Sequence, residues 1–299
     1  MLFNRKEHVL NNLYMKCYLC NGDTFNVRPG EVRDNKKIKV IECNSCGLVT
    51  LDDLSHITEK HYEEGKMHAY QNTMREWMQE TEIDDLRRFE KFKKNILGKN
   101  VLDFGCGNGG FLIKALEFAN LAQGLELETR VQDYYKDSTI KIWESIEDVK
   151  LNCNEKFDLI TSFHVFEHLI DPITILKSLT SLLNKGGEII IEVPSSDDAL
   201  LTLYKSDSFS KFTYWSQHLF LFNQQTVSEL VKKANLKLNW VEQVQRYGLS
   251  NHLYWLSNNF PGGQKKWNFL NSNLLDELYA KQLASVGKCD TIMASISIK

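Results

Sequence analysis

Short apolar runs alternate with amphipathic stretches through the middle of the chain. Five of these runs have the length and composition of buried strands: Val101–Phe104, Ala122–Leu125, Ile140–Trp143, Phe157–Phe163 and Ile189–Pro194. Helix-like stretches separate them, and one begins at Pro172 and extends to Leu183. Strands that alternate with helices form a parallel sheet with helices on both faces. The pattern therefore predicts a doubly wound α/β domain that binds its ligands at the carboxyl ends of the strands.

A long charged stretch precedes the first predicted strand. From Glu76 to Leu97, charges of both signs alternate with apolar side chains at helical spacing, and Gly98 ends the pattern. We expect an amphipathic helix whose polar face meets water.

The first predicted strand leads directly into the glycine-rich run Gly105–Gly110. Glycines lack a Cβ atom, so the backbone can approach a ligand closely, and their spacing also satisfies the G-x-G-x-x-G fingerprint of dinucleotide-binding proteins. Asp103, near the end of the strand, disfavours a pyrophosphate and suits a cationic or amine-bearing ligand. Glu126 ends the second strand, where an acid can accept both hydroxyls of a ribose.

The stretch from about Asn100 to Val193 resembles the class I S-adenosylmethionine-dependent methyltransferases. The resemblance rests on four segments: Asp103–Gly109, Gly124–Glu126, Phe157–Ile160 and Lys185–Gly187. It implies a mostly parallel, seven-stranded, Rossmann-like sheet. Two later segments with strand-like alternation, Leu236–Tyr247 and Thr291–Ile298, are expected to form the antiparallel pair that completes this sheet.

The resemblance also implies S-adenosylmethionine as the cofactor and assigns residues to it. The expected cofactor site consists of Asp103, Gly105, Gly107, Gly109, Glu126, Ser145, Ile146 and Phe163. In this assignment the glycines lie under the methionine part, Glu126 holds the ribose, and Ser145 and Ile146 lie near the adenine.

Four of the seven cysteines form two closely spaced pairs, Cys17 with Cys20 and Cys43 with Cys46. Two residues between thiolates allow both sulfurs to reach one tetrahedral zinc ion, whereas two disulfides are the alternative. The N-terminus has no apolar segment typical of an export signal, which favours a reducing cytoplasmic location and zinc. We therefore expect residues 1–55 to form a zinc-binding module. Because four cysteines close the coordination sphere, this zinc is expected to be structural.

The arrangement of a zinc module, a cofactor domain and then Gln217-His218-Leu219-Phe220-Leu221-Phe222 is similar to zinc-containing sugar C-methyltransferases. The resemblance implies a sugar acceptor, nucleotide-linked or part of a surface polysaccharide, with His168 or His218 as general base. Gln217 stands where that family has glutamate, which leaves O- or N-methylation open. Residues 56–98 are expected to form a helical linker or lid, in which Tyr62 resembles a lid residue of the family.

The remainder, residues 99–299, is expected to form the methyltransferase domain, with substrate-side insertions at 195–222 and 248–290. The second insertion is a candidate homodimer contact or acceptor-site wall. A net charge of −3 offers no whole-chain attraction to nucleic acid or an anionic membrane, and no apolar stretch is long enough to span one. Three alternatives remain open: a nucleic-acid methyltransferase that grips its substrate through the zinc module, a non-catalytic binding module and a nicotinamide dehydrogenase.

Overall fold

The computed structural model describes residues 16–57 and 73–299, which form two sheets with helices packed around the larger one. The strands are β1 Phe25–Val27, β2 Val40–Cys43, β3 Val49–Leu51, β4 Asn100–Phe104, β5 Leu121–Leu125, β6 Ile142–Trp143, β7 Phe157–Phe163, β8 Leu183–Pro194, β9 Phe220–Leu221, β10 Lys237–Val244 and β11 Thr291–Ser297. The helices are α1 Met74–Ile96, α2 Gly110–Leu116, α3 Thr129–Tyr135, α4 Ile146–Asn152, α5 Pro172–Thr180, α6 Ala199–Thr202, α7 Asp207–Thr213, α8 Gln224–Lys233, α9 Leu249–Asn258, α10 Gly263–Lys266 and α11 Asn273–Ser285.

The larger sheet has seven strands in the order β10-β11-β8-β7-β4-β5-β6. Strands β4 to β8 pair in parallel, whereas β11 runs antiparallel to both β8 and β10. This arrangement confirms the predicted doubly wound α/β fold and the antiparallel pair at its edge.

Both faces of the central strands are buried, as expected for a parallel sheet covered by helices. Val101 and Leu159 lie on the face of the sheet that α1 and α2 cover, where they belong to one apolar cluster with side chains of those helices. Their chain neighbours Leu102 and Ile160 point to the other side and join the larger apolar cluster. The alternation explains why these strands appear in the sequence as continuous apolar runs.

Several element boundaries differ from those that the sequence predicted. Helix α5 ends at Thr180 because Leu183 already begins β8, and β6 is limited to two residues. The expectation that the polar face of α1 meets water is wrong for part of that face. Asp85 and Arg88 are only 6% and 8% exposed to solvent, respectively.

The smaller sheet has the order β1-β2-β3-β9, and its fourth strand comes from far along the chain. Val49 is paired with Leu221 and Thr50 with Phe220, both antiparallel. The N-terminal module, residues 16–57, thus shares a sheet with residues 220–221. Nothing in the sequence indicated this pairing.

None of the helices within the two described ranges combines the length and apolar character required to cross a membrane.

Candidate functional site

The glycine-rich run lies between β4 and α2, and its backbone conformation requires glycine. Gly105 has φ +72° and Gly109 has φ +77°, in the left-handed region that other residues rarely adopt. A Cβ atom on Gly105 would lie 2.4 Å from Val165 Cγ2, and one on Gly109 would lie 2.5 Å from the Tyr135 hydroxyl. The turn is therefore closely surrounded and can present its backbone to a ligand.

Asp103 lies at the end of β4, directly before this turn, and is 3% exposed. Thr161 on the neighbouring strand β7 donates a hydrogen bond of 2.7 Å to its Oδ1 atom. Burial raises the pKa of Asp103 to about 7, although the bond from Thr161 opposes this shift. The site therefore holds an acid whose charge a cationic ligand would stabilise.

Glu126 follows β5 and points its carboxylate at the glycine turn. One carboxylate oxygen accepts the Gly107 amide at 3.0 Å, and the other accepts the amides of Leu127 and Glu128 at 2.7 and 3.0 Å. Burial raises the pKa of Glu126, while these amide hydrogen bonds lower it. Three backbone amides therefore hold the Glu126 carboxylate at the end of β5, beside β4 and the glycine turn that follows it.

The other residues expected to contact the cofactor lie at the same edge of the sheet. Ser145 follows β6 and caps helix α4, and Ile146 is buried in the first turn of that helix. Phe163 ends β7, where its ring packs edge-on against Phe111 of α2 with the ring centroids 5.0 Å apart. The structure therefore gathers all the residues of the expected cofactor site at the carboxyl ends of four neighbouring strands.

Helix α1 covers this edge with side chains that the sequence analysis did not assign. The Thr81 hydroxyl donates to Asp85 Oδ2 at 2.8 Å and accepts a hydrogen bond from the side-chain amide of Asn108 at 2.9 Å. Trp77 lies against the turn, with a ring carbon 3.2 Å from where a Cβ of Gly107 would be. Thr81, Asp85 and the buried Arg88 are spaced four and three residues apart, which puts them on one helix face. That spacing was the signal available in the sequence.

A buried ionic cluster begins where β7 ends. His164 has φ +58°, a strained conformation for a residue other than glycine, and such strain is often found at functional sites. Its Nδ1 atom lies 3.3 Å from Glu167 Oε1, and its Nε2 atom lies 3.2 Å from Glu192 Oε1. Arg88 donates to Glu192 at 2.7 Å, and Arg246 Nη1 lies 3.0 Å from His164 Nε2. The imidazole thus bridges two buried carboxylates.

Glu167, His168 and His218 converge beside this cluster, with their polar atoms within 4.8 Å of one another. Glu167 is fully buried, which opposes its ionisation. The hydrogen bond from His164 and the charge of His168 outweigh burial and lower the pKa of the carboxyl. The structure therefore brings together both histidines that the sequence singled out, next to an ionised acid.

Each of the two imidazoles has one nitrogen fixed by a backbone carbonyl. His168 Nδ1 donates to the Gln217 carbonyl at 2.8 Å, and His218 Nδ1 donates to the Thr213 carbonyl at 2.9 Å, in the tautomers that these acceptors require. In the neutral form of either ring the lone pair is then on Nε2. Burial and the neighbouring His168 lower the pKa of His218 to about 3, so this ring is neutral at physiological pH.

The four paired cysteines meet at one point of the N-terminal module, with all four sulfurs within 4.8 Å of one another. The Sγ atoms of Cys17 and Cys46 are 3.5 Å apart, as are those of Cys20 and Cys43. Four thiolates around one tetrahedral zinc ion, with bonds of about 2.3 Å, have sulfurs roughly 3.8 Å apart. The Gly22 amide also donates to Cys20 Sγ at 3.4 Å. None of the cysteines forms a disulfide, so this donor set fits a closed metal site.

Tyr62, the expected lid residue, lies outside the described residues. The insertion at 248–290 forms α9 to α11 and leaves several large apolar side chains exposed, among them Phe260, Phe269, Leu274 and Leu278.

Comparison with known proteins finds relatives that match part of this chain. The relatives include the ubiquinone biosynthesis O-methyltransferase of Haemophilus ducreyi, which is 33% identical over 32% of this chain and 45% of its own length. The tRNA U34 carboxymethyltransferase of Campylobacter hominis is 31% identical over 53% of this chain and 59% of its own length. The chain thus spans about half the length of these relatives.

Among solved structures, a SAM dependent methyltransferase from Archaeoglobus fulgidus gives a TM-score of 0.47 at 16% identity, and the match covers 79% of this chain and 99% of that one. Residues 74–240 match the family described as "Methyltransferase domain". Because that match spans more than half of the chain and includes the glycine turn, Asp103 and Glu126, the protein belongs to this methyltransferase family.

Proposed function

We propose that the protein transfers a methyl group to a hydroxyl of a sugar or sugar-derived small molecule, with His168 as the general base. The observation that carries this proposal is the convergence of Glu167, His168 and His218 at the carboxyl end of β7. In a sheet of this kind, that edge is where a substrate would meet the cofactor.

S-Adenosylmethionine, when bound, supplies a methyl group already activated by its sulfonium. The protein then has to hold the acceptor in line and take the proton that its hydroxyl loses. His168 suits the second task, because its bond to the Gln217 carbonyl fixes the ring with Nε2 facing the Glu167 carboxylate. Glu167 Oε1, 3.8 Å from that nitrogen, would stabilise the resulting imidazolium.

His218 is a poor candidate for the base. A group whose pKa is lowered to about 3 binds a proton poorly at neutral pH. We assign it instead to the wall of the acceptor site, as a neutral hydrogen-bond acceptor for a second hydroxyl. A sugar, which carries several adjacent hydroxyls, suits such a pair of imidazoles.

Gln217 supports O-methylation over C-methylation. Its side chain is neutral, so this chain lacks a carboxylate at the position where the sugar C-methyltransferases that it resembles have glutamate. Removal of a proton from carbon requires a stronger base than removal of one from a hydroxyl that is already close to an imidazole.

We further propose that Cys17, Cys20, Cys43 and Cys46 hold one structural zinc ion. Thiolates remain available for this role in a reducing compartment, which fits our proposal of a cytoplasmic enzyme. The ion would supply folding energy to the N-terminal module and no open position for chemistry.

A methyl-transfer screen with radiolabelled S-adenosylmethionine tests the acceptor class. The panel should contain nucleotide-linked sugars, phosphorylated sugars, a catechol of the quinone-precursor type and bulk transfer RNA. We expect label in a sugar compound, and exclusive labelling of the catechol or the RNA would overturn the sugar assignment. The last two acceptors are included because the relatives named above act in ubiquinone biosynthesis and on tRNA.

A further inference from the structure

The N-terminal module holds the aromatic segment, residues 212–222, at several points. This segment carries Gln217 and His218, so whatever fixes its backbone also fixes one wall of the proposed acceptor site. Contacts come from the loop around Arg33 and Asp34 and from strand β3. His56 Nε2 also lies 2.7 Å from the Ser216 carbonyl oxygen, and the Tyr18 ring packs against Phe220.

Asp34 binds the segment two residues before His218. Its Oδ1 atom accepts the Ser216 amide at 3.0 Å, and its Oδ2 atom accepts the Ser216 hydroxyl at 2.6 Å. Burial opposes the charge on Asp34, but these two bonds outweigh it and lower the pKa of the carboxyl. One ionised side chain therefore fixes both the backbone and the side chain of Ser216.

Arg33 binds the same segment through its backbone and its side chain. Its amide donates to the Tyr214 carbonyl at 2.9 Å, and its Nη1 atom donates to the Phe212 carbonyl at 3.2 Å. The guanidinium also stacks on Trp215, 4.2 Å from the ring centroid. Trp215 in turn packs edge-on against the ring of His218 at 5.5 Å.

Strand β3 holds the far side of the segment. Thr50 donates its hydroxyl to the Leu219 carbonyl at 2.8 Å, and Val49 and Thr50 pair with β9. The Leu219 amide donates to the Glu167 carbonyl at 2.8 Å. This bond joins the segment to the short 3₁₀ helix Phe166–His168, which contains His168. His218 thus lies between two sets of contacts with the module.

We propose that the N-terminal module positions His218 and Gln217 against His168, and that Asp34 and Arg33 are the positioning residues of its loop. This inference rests on the proposed function, because it assigns the module a purpose in that same acceptor site. A displacement of about 1 Å at a reacting group can cost roughly a hundredfold in rate, so such support has a large effect on turnover.

The test compares Asp34→Ala with Asp34→Asn and with the control Glu31→Ala. Asparagine can still accept the Ser216 amide and donate to its hydroxyl, whereas alanine can do neither. Glu31 lies in the same loop, and its ion-pair partner at 3.4 Å is Lys36, not a residue of the segment. We expect Asp34→Ala to lower kcat about tenfold or more, with unchanged binding of S-adenosylhomocysteine and unchanged zinc content. We expect Asp34→Asn to keep most of the activity.

A second readout needs no acceptor and therefore separates this inference from the proposed function. The ring proton of His218, assigned with a His218→Gln variant, can be followed by NMR between pH 5 and 8. The charged and titratable side chains facing this ring are Glu167, His168 and Arg33. In the wild type the resonance should not titrate in this range, because burial keeps the ring neutral. In Asp34→Ala we expect it to begin to titrate as the segment loosens.

An unchanged His218 resonance and unchanged kcat in Asp34→Ala, matching Glu31→Ala, would overturn the inference. If Asp34→Ala does not fold, Ser216→Ala removes the Oδ2 partner from the other side and should shift the same resonance. A normal His218 resonance in that variant would count equally against the assignment.

Discussion

Thr161 on β7 donates a hydrogen bond of 2.7 Å to Asp103 on β4, so two neighbouring strands fix the carboxyl that precedes the glycine turn. This carboxyl is fully buried, and its pKa is raised to about 7. The cofactor and its product both carry an ammonium group, which favours the charged form of a nearby acid.

From this relationship we predict that S-adenosylhomocysteine binds more weakly below neutral pH. Below about pH 7 the free protein holds a proton on Asp103, which cation binding must displace, so affinity should fall by up to about tenfold per pH unit. Above pH 7 the affinity should be level. Calorimetry between pH 5.5 and 8 measures this dependence of affinity on pH. Asp103→Asn should bind S-adenosylhomocysteine weakly and with little pH dependence. The control Asp133→Asn, on the exposed face of α3, should behave like the wild type.

Glu126 gives a second prediction about cofactor binding. Glu126→Gln keeps the shape of the side chain, but it removes the charge and one acceptor at the position proposed to hold the ribose diol. Loss of a charged hydrogen bond costs about 1.5 to 3 kcal/mol, so S-adenosylhomocysteine should bind at least tenfold more weakly. Glu117→Gln, an exposed acid at the end of α2, is the control. Equal affinities for the two variants would remove Glu126 from the cofactor site.

His168→Ala tests the assignment of the base. If His168 accepts the proton of the acceptor, kcat should fall about a hundredfold or more, while the affinity for S-adenosylhomocysteine remains unchanged. His218→Ala should cost less, because a ring with a pKa of about 3 is a poor base. Single-turnover rates with both variants decide the point, and a larger loss in His218→Ala would reverse the two roles.

The metal proposal is tested by elemental analysis together with a matched pair of cysteine variants. The purified protein should contain close to one zinc per chain. Cys17→Ser should lose the ion and expose the N-terminal module to proteolysis, because metal binding and folding are coupled in such sites. Cys153→Ser, which alters a half-buried cysteine outside the cluster, should retain both metal and fold. Zinc-free protein with an intact module would refute the proposal.

The sequence predicted the central sheet because its strands are buried on both faces. Runs such as Phe157–Phe163 are therefore apolar almost throughout, and such a run can be recognised from the local sequence alone. The glycine turn could be predicted for a similar reason, since a backbone with positive φ at Gly105 leaves little choice of residue. Asp103 and Glu126 followed from their places at the ends of those strands.

The ionic cluster could not be predicted in the same way. Arg88 and Glu192 are 104 positions apart in sequence. Glu192 lies within a predicted buried strand, but nothing in the sequence identifies Arg88 as its partner. Charged residues on an amphipathic helix are usually solvated, so the sequence of α1 predicted a polar face exposed to water. In the structure, part of that face is buried. The contribution of Arg246 depends on how the tail folds back to β11, which composition does not specify.

The pairing of β3 with β9 also has a consequence for how the protein is made. The two strands are separated by more than half of the chain, so the edge of β3 has no partner until residues 220 and 221 have left the ribosome. An unpaired strand edge is a template for association with other chains. Nascent chains stalled or cleaved before that point should therefore aggregate or recruit chaperones, even though their cysteines and their glycine turn have already been synthesised.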